Sequence, residues 1–457
     1  MKKNYLLIAA AAAMFAACSN VDSFKSAVDD NETVMIGFET YHEKSTRATA
    51  TGEINNPSDF TSAHGGFGVW GFKGSSDDIV AANPTVDVTA TSITTVFNNV
   101  KVWYKDNTED EEYTPENANT ANTHYHFTYA IPKYWDKGSE YTFFAYAPYD
   151  EAATKGKTDE AKAAATTVYL DETTGKITVK AIPSIQDIST SNSSSSPADD
   201  DLVFTGTDDS HVTDYLMATY AAEQKFNATN QQTLHPGTAG STTYADVAQT
   251  VGFTFGHMLS KLQINVMPND QYLGVEGLDV KFLSLTNMPT RAQNTATTVF
   301  TQTAPTAAAG TFAPNAYSTT LQVINSDNNT NTYATARQSL YVLKDGQDPS
   351  GTDSNNDPVF EDTNKPESQT QQFNYYIAPN TPASAYKLNI SYHITYTDGT
   401  EEDVVKTDLA LPQNFSSMAQ NNSYILNIKI ALQEILFTVE QVVGWTTQTL
   451  DNVVVGE

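Results

Sequence analysis

Val251-Gly252-Phe253-Thr254-Phe255-Gly256-His257-Met258-Leu259-Ser260-Lys261-Leu262-Gln263-Ile264-Asn265-Val266 is the stretch from which the fold can be read. Large apolar residues recur through it with a period of two, the pattern of half-buried β-strands. Phe253 and Phe255 sit at odd positions, whereas Leu262, Ile264 and Val266 sit at even ones. A one-residue slip turns a strand over, so a bulge or short turn is expected between Gly256 and Ser260.

Working outward, the same alternation marks further strands. Toward the amino terminus they are Thr33–Thr40, with Val34, Ile36 and Phe38 on one face, Phe67–Phe72, Val96–Tyr104, Tyr125–Tyr129, Glu140–Pro148 and Asp214–Ala218. Toward the carboxy terminus they are Val280–Leu285, Ser339–Leu343, Phe373–Ile377, Lys387–Tyr396 and Tyr424–Ile430. Long helical patterns are absent, Tyr and Phe are abundant, and the connections are rich in Thr, Ser, Asn and Asp. Such a chain is all-β, and its regularly spaced short strands suggest sandwiches. The length of 457 residues implies about two or three domains. The Asn/Gln/Thr/Gly-rich stretch Glu223–Thr243 is the expected linker.

Charge and motifs exclude several function classes. The chain carries 25 Lys and Arg against 54 Asp and Glu; Met1 to Arg47 hold five of the bases and six of the acids, which leaves −28 on the remainder. That surface repels nucleic acid and anionic lipid, so no nucleic-acid partner is expected. Gly66, Gly68 and Gly71 form a literal G-x-G-x-x-G, but no helix follows, and Phe67, Val69, Trp70 and Phe72 read as an aromatic strand with room for close packing or a bulge. Gly156-Lys157-Thr158 lacks the upstream Gly of a phosphate loop, since position 151 is Glu. His124 and His126 share a strand face without further ligands nearby, so no metal site is expected. Scattered His, no H-E-x-x-H and no G-x-S-x-G leave no catalytic set and call for no cofactor.

The amino terminus carries export signals. Lys2 and Lys3 precede an apolar run from Tyr5 to Ala17 that is too short to span a bilayer and ends in Phe15-Ala16-Ala17-Cys18. Cys18, the single cysteine of the chain, can form no internal disulfide, and directly after two alanines it reads as a thiol for acylation and membrane anchoring. Downstream of the first strand, Lys44-Ser45-Thr46-Arg47-Ala48-Thr49-Ala50-Thr51-Gly52 is a polar loop, either a protease site at Arg47 or an ordinary inter-strand connection.

Taken together, the lipobox, Val34–Phe38, Phe67-Gly68-Val69, Tyr134-Trp135, Phe143-Phe144-Ala145-Tyr146-Ala147-Pro148, Asp214-Tyr215-Leu216-Met217-Ala218, Phe255–Leu262 and Val443-Gly444-Trp445 resemble the fimbrillin family of type V pili. The resemblance covers nearly the whole chain. It implies two tandem transthyretin-like β-sandwiches: a signal peptide 1–18, a propeptide 19–47 with a removable first strand, a first sandwich 48–225, a linker 226–245 and a second sandwich 246–457. It implies a lipoprotein precursor held in the outer membrane at Cys18, an arginine-specific protease that cuts between Arg47 and Ala48, and other pilus subunits as partners at the cell surface. The groove left by Val34, Ile36 and Phe38 would then take a carboxy-terminal strand of the next subunit, drawn from 434–457. Ile435, Phe437, Val439, Val443 and Trp445 share one parity and suit that donor role; the same stretch can equally be the last strand of its own sandwich, with Val453 and Val455 as the donor or its extension. The alternatives are a tip or anchor subunit, or a monomeric surface lipoprotein that binds a glycan or host ligand.

Overall fold

The computed structural model describes residues 34–42, 54, 59–60, 65–75, 92–106, 125–156, 167–188, 214–227, 231–233, 247–268, 275–288, 297–313, 319–325, 338–342, 367–368, 370–379, 385–396, 398–412, 415–430, 435–443 and 446–447. Cys18, Arg47, Ala48, His124, Trp445, Val453 and Val455 lie outside them. The regular elements are strands. The first nine are β1 (Met35–His42), β2 (Phe67–Gly74), β3 (Thr94–Asp106), β4 (Tyr125–Thr128), β5 (Glu140–Ala147), β6 (Thr154–Gly156), β7 (Val168–Asp171), β8 (Lys176–Pro183) and β9 (Ile185–Asp187). Then come β10 (Leu216–Ala218), β11 (Ala221–Lys225), β12 (Gln231–Thr233), β13 (Val247–His257), β14 (Ser260–Pro268), β15 (Val275–Met288), β16 (Thr297–Gln302), β17 (Gly310–Ala313) and β18 (Thr319–Asn325). The last are β19 (Gln338–Ser339), β20 (Tyr341–Val342), β21 (Glu367–Ser368), β22 (Gln371–Ile377), β23 (Lys387–Tyr396), β24 (Glu401–Ala410), β25 (Asn422–Ile430), β26 (Ile435–Val443) and β27 (Thr446–Thr447).

The largest sheet runs β1-β13-β10-β5-β2-β3-β4, with β11 on β5 and β12 on β13. It curls so that its end strands approach each other, and its concave face packs Phe67, Phe97, Phe143, Phe253 and Phe255 into one aromatic core. β5 is buried along its whole length because both its faces are covered. Tyr141, Phe143, Ala145 and Ala147 enter this first core, while Phe144 and Tyr146 join Trp70, Phe72, Val168, Ile177 and Phe300 in a second one beneath the sheet β17-β16-β8-β7-β6. A third core lies between β27-β26-β25-β14-β22-β9 and β18-β15-β23-β24, built from Leu262, Ile264, Val266, Leu283, Tyr392 and Leu426 among others.

The parity change in the opening stretch is the passage between two sheets. β13 ends at His257, β14 starts at Ser260, and only Met258 and Leu259 connect them, so the expected bulge is a crossing point. Phe253 and Phe255 face the aromatic core, and Leu262, Ile264 and Val266 face the third core. Asn421 braces the crossing: its side-chain oxygen accepts the His257 amide at 3.0 Å, and its own amide donates to Leu259 O at 3.2 Å.

Strand pairing runs across the divide that the family resemblance places at 226–245. β13, from beyond it, sits between β1 and β10, while β8 and β9, from before it, pair with β16 and β22. Val251, Phe253 and Phe255 are needed to finish the aromatic core, and the Gln249 side chain ties β13 back through bonds to Lys225 O and Asn227 N. Similarly, β4 and β5 are not partners: β4 pairs with β3 and β5 with β2.

Gly71 of β2 shows how tightly the first core is packed. The β2–β3 register slips around Gly71, and a Cβ there would come within 2.8 Å of ring carbons of Phe143 and Phe97. Gly71→Ala is expected to lower unfolding stability by about 1–3 kcal/mol through overpacking, read as a lower urea midpoint.

Candidate functional site

β1 is an eight-residue strand that closes the curled sheet. On one edge it runs parallel to β13, from Met35 opposite Ala248 to His42 opposite Phe255. On its other edge it meets the connection after β4, residues 129–135. There Ile36 N donates to Lys133 O at 2.8 Å, and Trp135 N donates to Val34 O at 2.9 Å. The Tyr129 hydroxyl donates to Ile36 O at 2.6 Å and accepts the Lys133 amide at 3.2 Å, so it folds the connection into a clasp. Burial pushes the Tyr129 hydroxyl well above its ordinary pKa, which keeps it a proton donor. Trp135 reaches over to β13 and donates from Nε1 to Gln249 O at 3.2 Å.

The inward face of β1 is Val34, Ile36, Phe38 and Thr40, all buried. Phe38 is surrounded by rings: Phe97 at 5.3 Å, Tyr129 at 5.7 Å, Phe253 at 5.8 Å, Phe143 at 6.0 Å and Phe67 at 6.4 Å between centroids. The expected alternation of Val34, Ile36 and Phe38 is therefore met by a groove shaped for three apolar side chains, each worth about 1.5–3 kcal/mol of burial. The fourth position fits less well. Thr40 Oγ1 is buried with no hydrogen-bond partner among the described residues. Thr40→Val keeps the shape and removes that orphan, so it is expected to raise the urea stability of the uncut chain by about 1 kcal/mol.

The chain beyond β1 holds its own place in the core. Ile54 is buried, and its amide donates to Asp214 Oδ2 at 3.1 Å. Phe60 is buried against Phe67, Phe127 and Phe255, and its carbonyl accepts the Tyr104 amide at 2.8 Å. Asp214 also meets His257 Nδ1 at 2.9 Å, which links the Ile54 segment to the sheet crossing. Arg47 and Ala48 fall within 43–53, the stretch that joins His42 to Ile54.

The suggested donor residues lie elsewhere. β26 pairs antiparallel with β25 from Ile435 opposite Ile430 to Val443 opposite Asn422, on the edge half of its sheet. Phe437 stands opposite Ile428 and Val439 opposite Leu426, and Ile435 is half-buried against the third core. In this chain, then, Ile435–Val443 forms a strand of its own sheet. Sequence reasoning missed the clasp, Tyr129, Lys133 and Trp135, and the Asp214–His257 pair; the Tyr134-Trp135 motif was the one signal pointing there.

No protein-family model matches the chain, and no curated protein matches its sequence. Among solved structures it is similar to a fimbrial protein from Bacteroides vulgatus, at 18% identity and a TM-score of 0.44 over 90% of this chain and 99% of that one. It is also similar to the tip fimbrial protein Mfa3 from Porphyromonas gingivalis, at 10% identity and a TM-score of 0.27 over 90% of this chain and 99% of that one. It is similar as well to a putative cell adhesion protein from Bacteroides uniformis, at 12% identity and a TM-score of 0.37 over 92% of this chain and 100% of that one.

Proposed function

We propose that the chain is a structural or adhesive pilus subunit, exported as a lipoprotein through Cys18, cut after Arg47 and polymerised when a strand from another subunit fills the place of β1. The observation that carries this reading is the placement of β1. It fills an aromatic groove and is hydrogen-bonded on both edges, while Ile54 and Phe60, just beyond the Arg47 stretch, are anchored without it. A single cut would therefore free β1 and leave the rest of the core in place. The vacated groove would expose β13 and clasp backbone groups beside an apolar slot, which favours strand addition. The buried Thr40 hydroxyl, unpartnered among the described residues, makes β1 an imperfect filler.

The donor is drawn from the carboxy-terminal stretch 434–457, either Ile435–Trp445 or Val453 and Val455. The pairing of β26 with β25 favours the later residues, since β26 would have to leave nine paired positions to act as donor. The same pairing is the observation that favours a second reading, an anchor or tip subunit or a monomeric surface lipoprotein. Amino-terminal sequencing of surface-assembled material separates the two. The subunit reading expects Ala48-Thr49-Ala50, and an acylated Cys18 terminus throughout would favour the second.

A further inference from the structure

We propose that the outer face of the clasp, Ile131 and Tyr134 with Lys133 and Lys137, receives the body of a second copy of this chain, so that the strand filling the groove enters in the direction of β1, parallel to β13. The inference rests on the strand-replacement reading above and adds a second contact to it.

Three large hydrophobic residues stand exposed among the described residues: Ile131 at 69%, Tyr134 at 38% and Val405 at 67%. Two of them lie three residues apart on the segment that closes the groove, beside the backbone bonds of Lys133 and Trp135 to β1. Tyr134 itself bridges to Met35, which places it at the Val34 end of the groove, and Ile131 lies three residues before it on the same segment. An apolar pair at the mouth of a strand-binding groove is accounted for when the same partner covers both.

The two ends of the groove differ in what can reach them. At the His42 end the chain continues toward Ile54, which is pinned on Asp214 beside the end of β13. After a cut at Arg47, that end keeps the residues that follow the cut. The Val34 end loses everything that was attached to it. A donor strand running parallel to β13 brings its tether, and the body behind it, to the Val34 end, over Ile131 and Tyr134. An antiparallel strand would bring that body to the His42 end and leave the apolar pair uncovered. Charge agrees with the first arrangement: Lys133 and Lys137 flank the pair, and a second copy carries −28 after Arg47. Because the clasp of one copy meets a different surface of the next, the contact is head-to-tail and propagates as an open filament.

The test compares the wild-type chain with Ile131→Asp after cutting with an arginine-specific protease. The Ile131 side chain is 69% exposed, so the unfolding midpoint should not move. A labelled synthetic peptide of residues 32–43 should bind the vacated groove of both proteins with equal affinity, while the variant should form at least tenfold fewer oligomers. Irradiating wild-type oligomers that carry a photo-crosslinking residue at position 131 should give covalent dimers. Oligomers at wild-type yield from the variant, or no dimers from position 131, would overturn the proposal. Loss of peptide binding in the variant would also overturn it, since the fault would then lie in the groove. If the cut wild-type chain binds peptide but never oligomerises, strand replacement between subunits fails first and takes this contact with it.

Discussion

Arg47→Ala is expected to leave the chain folded, anchored and monomeric at the cell surface, with polymer reduced by at least a hundredfold. The uncut strand is an intramolecular competitor. While β1 is covalently attached, its effective concentration at the groove is in the millimolar range or above, so a donor from a second molecule rarely displaces it. Val34, Ile36 and Phe38 together contribute several kcal/mol of burial, and the bonds to Lys133 and Trp135 fix their register. Cutting removes the covalent link and lets dilution act against β1. Arg291 and Arg337 are the other arginines of the chain, and their replacement by alanine should leave assembly unchanged. An unboiled denaturing gel of surface material reads all three variants.

Val453→Asp is expected to abolish polymer while leaving the fold and the release of Met1 to Arg47 intact. An unpaired carboxylate in a groove lined by Phe67, Phe97, Phe143 and Phe253 costs several kcal/mol, enough to block docking. Val439→Asp should behave differently. Val439 belongs to β26, opposite Leu426 on β25, and shares its parity with Ile435, which packs on the third core. Its charge should therefore lower the urea stability of the subunit itself. Loss of polymer with Val439→Asp alone, in a subunit of unchanged stability, would mean that β26 leaves its own sheet to act as the donor.

The sequence exposed the strands whose faces differ in environment, and it exposed β1 because Val34, Ile36 and Phe38 alternate into a single core. It hid β24, where Glu401, Glu402, Asp403, Lys406 and Asp408 leave little apolar alternation to read. An outer strand pairs on one side only and tolerates charges along its length, so its pattern carries little hydrophobic signal. The clasp was hidden for another reason. Lys133 and Trp135 hold β1 through backbone groups, and side-chain patterning does not encode which carbonyl an amide will meet. The Asp214–His257 pair joins residues 43 positions apart with no motif between them, so only the folded chain brings it together. The carboxy-terminal parity was legible, but alternation is the same for a strand that pairs at home and one that pairs abroad. Pairing with β25 settles where Ile435–Val443 sits in this chain, and partner exchange is a property of two molecules.

The central claim, that β1 is a removable strand whose place another strand takes, is tested most directly by cutting the purified chain with an arginine-specific protease and following it by native mass spectrometry. The account predicts that the fragment ending at Arg47 dissociates as oligomers appear, each carrying one fewer copy of that fragment per junction formed. A chain cut at Arg47 that keeps the fragment bound and stays monomeric at high concentration would contradict it.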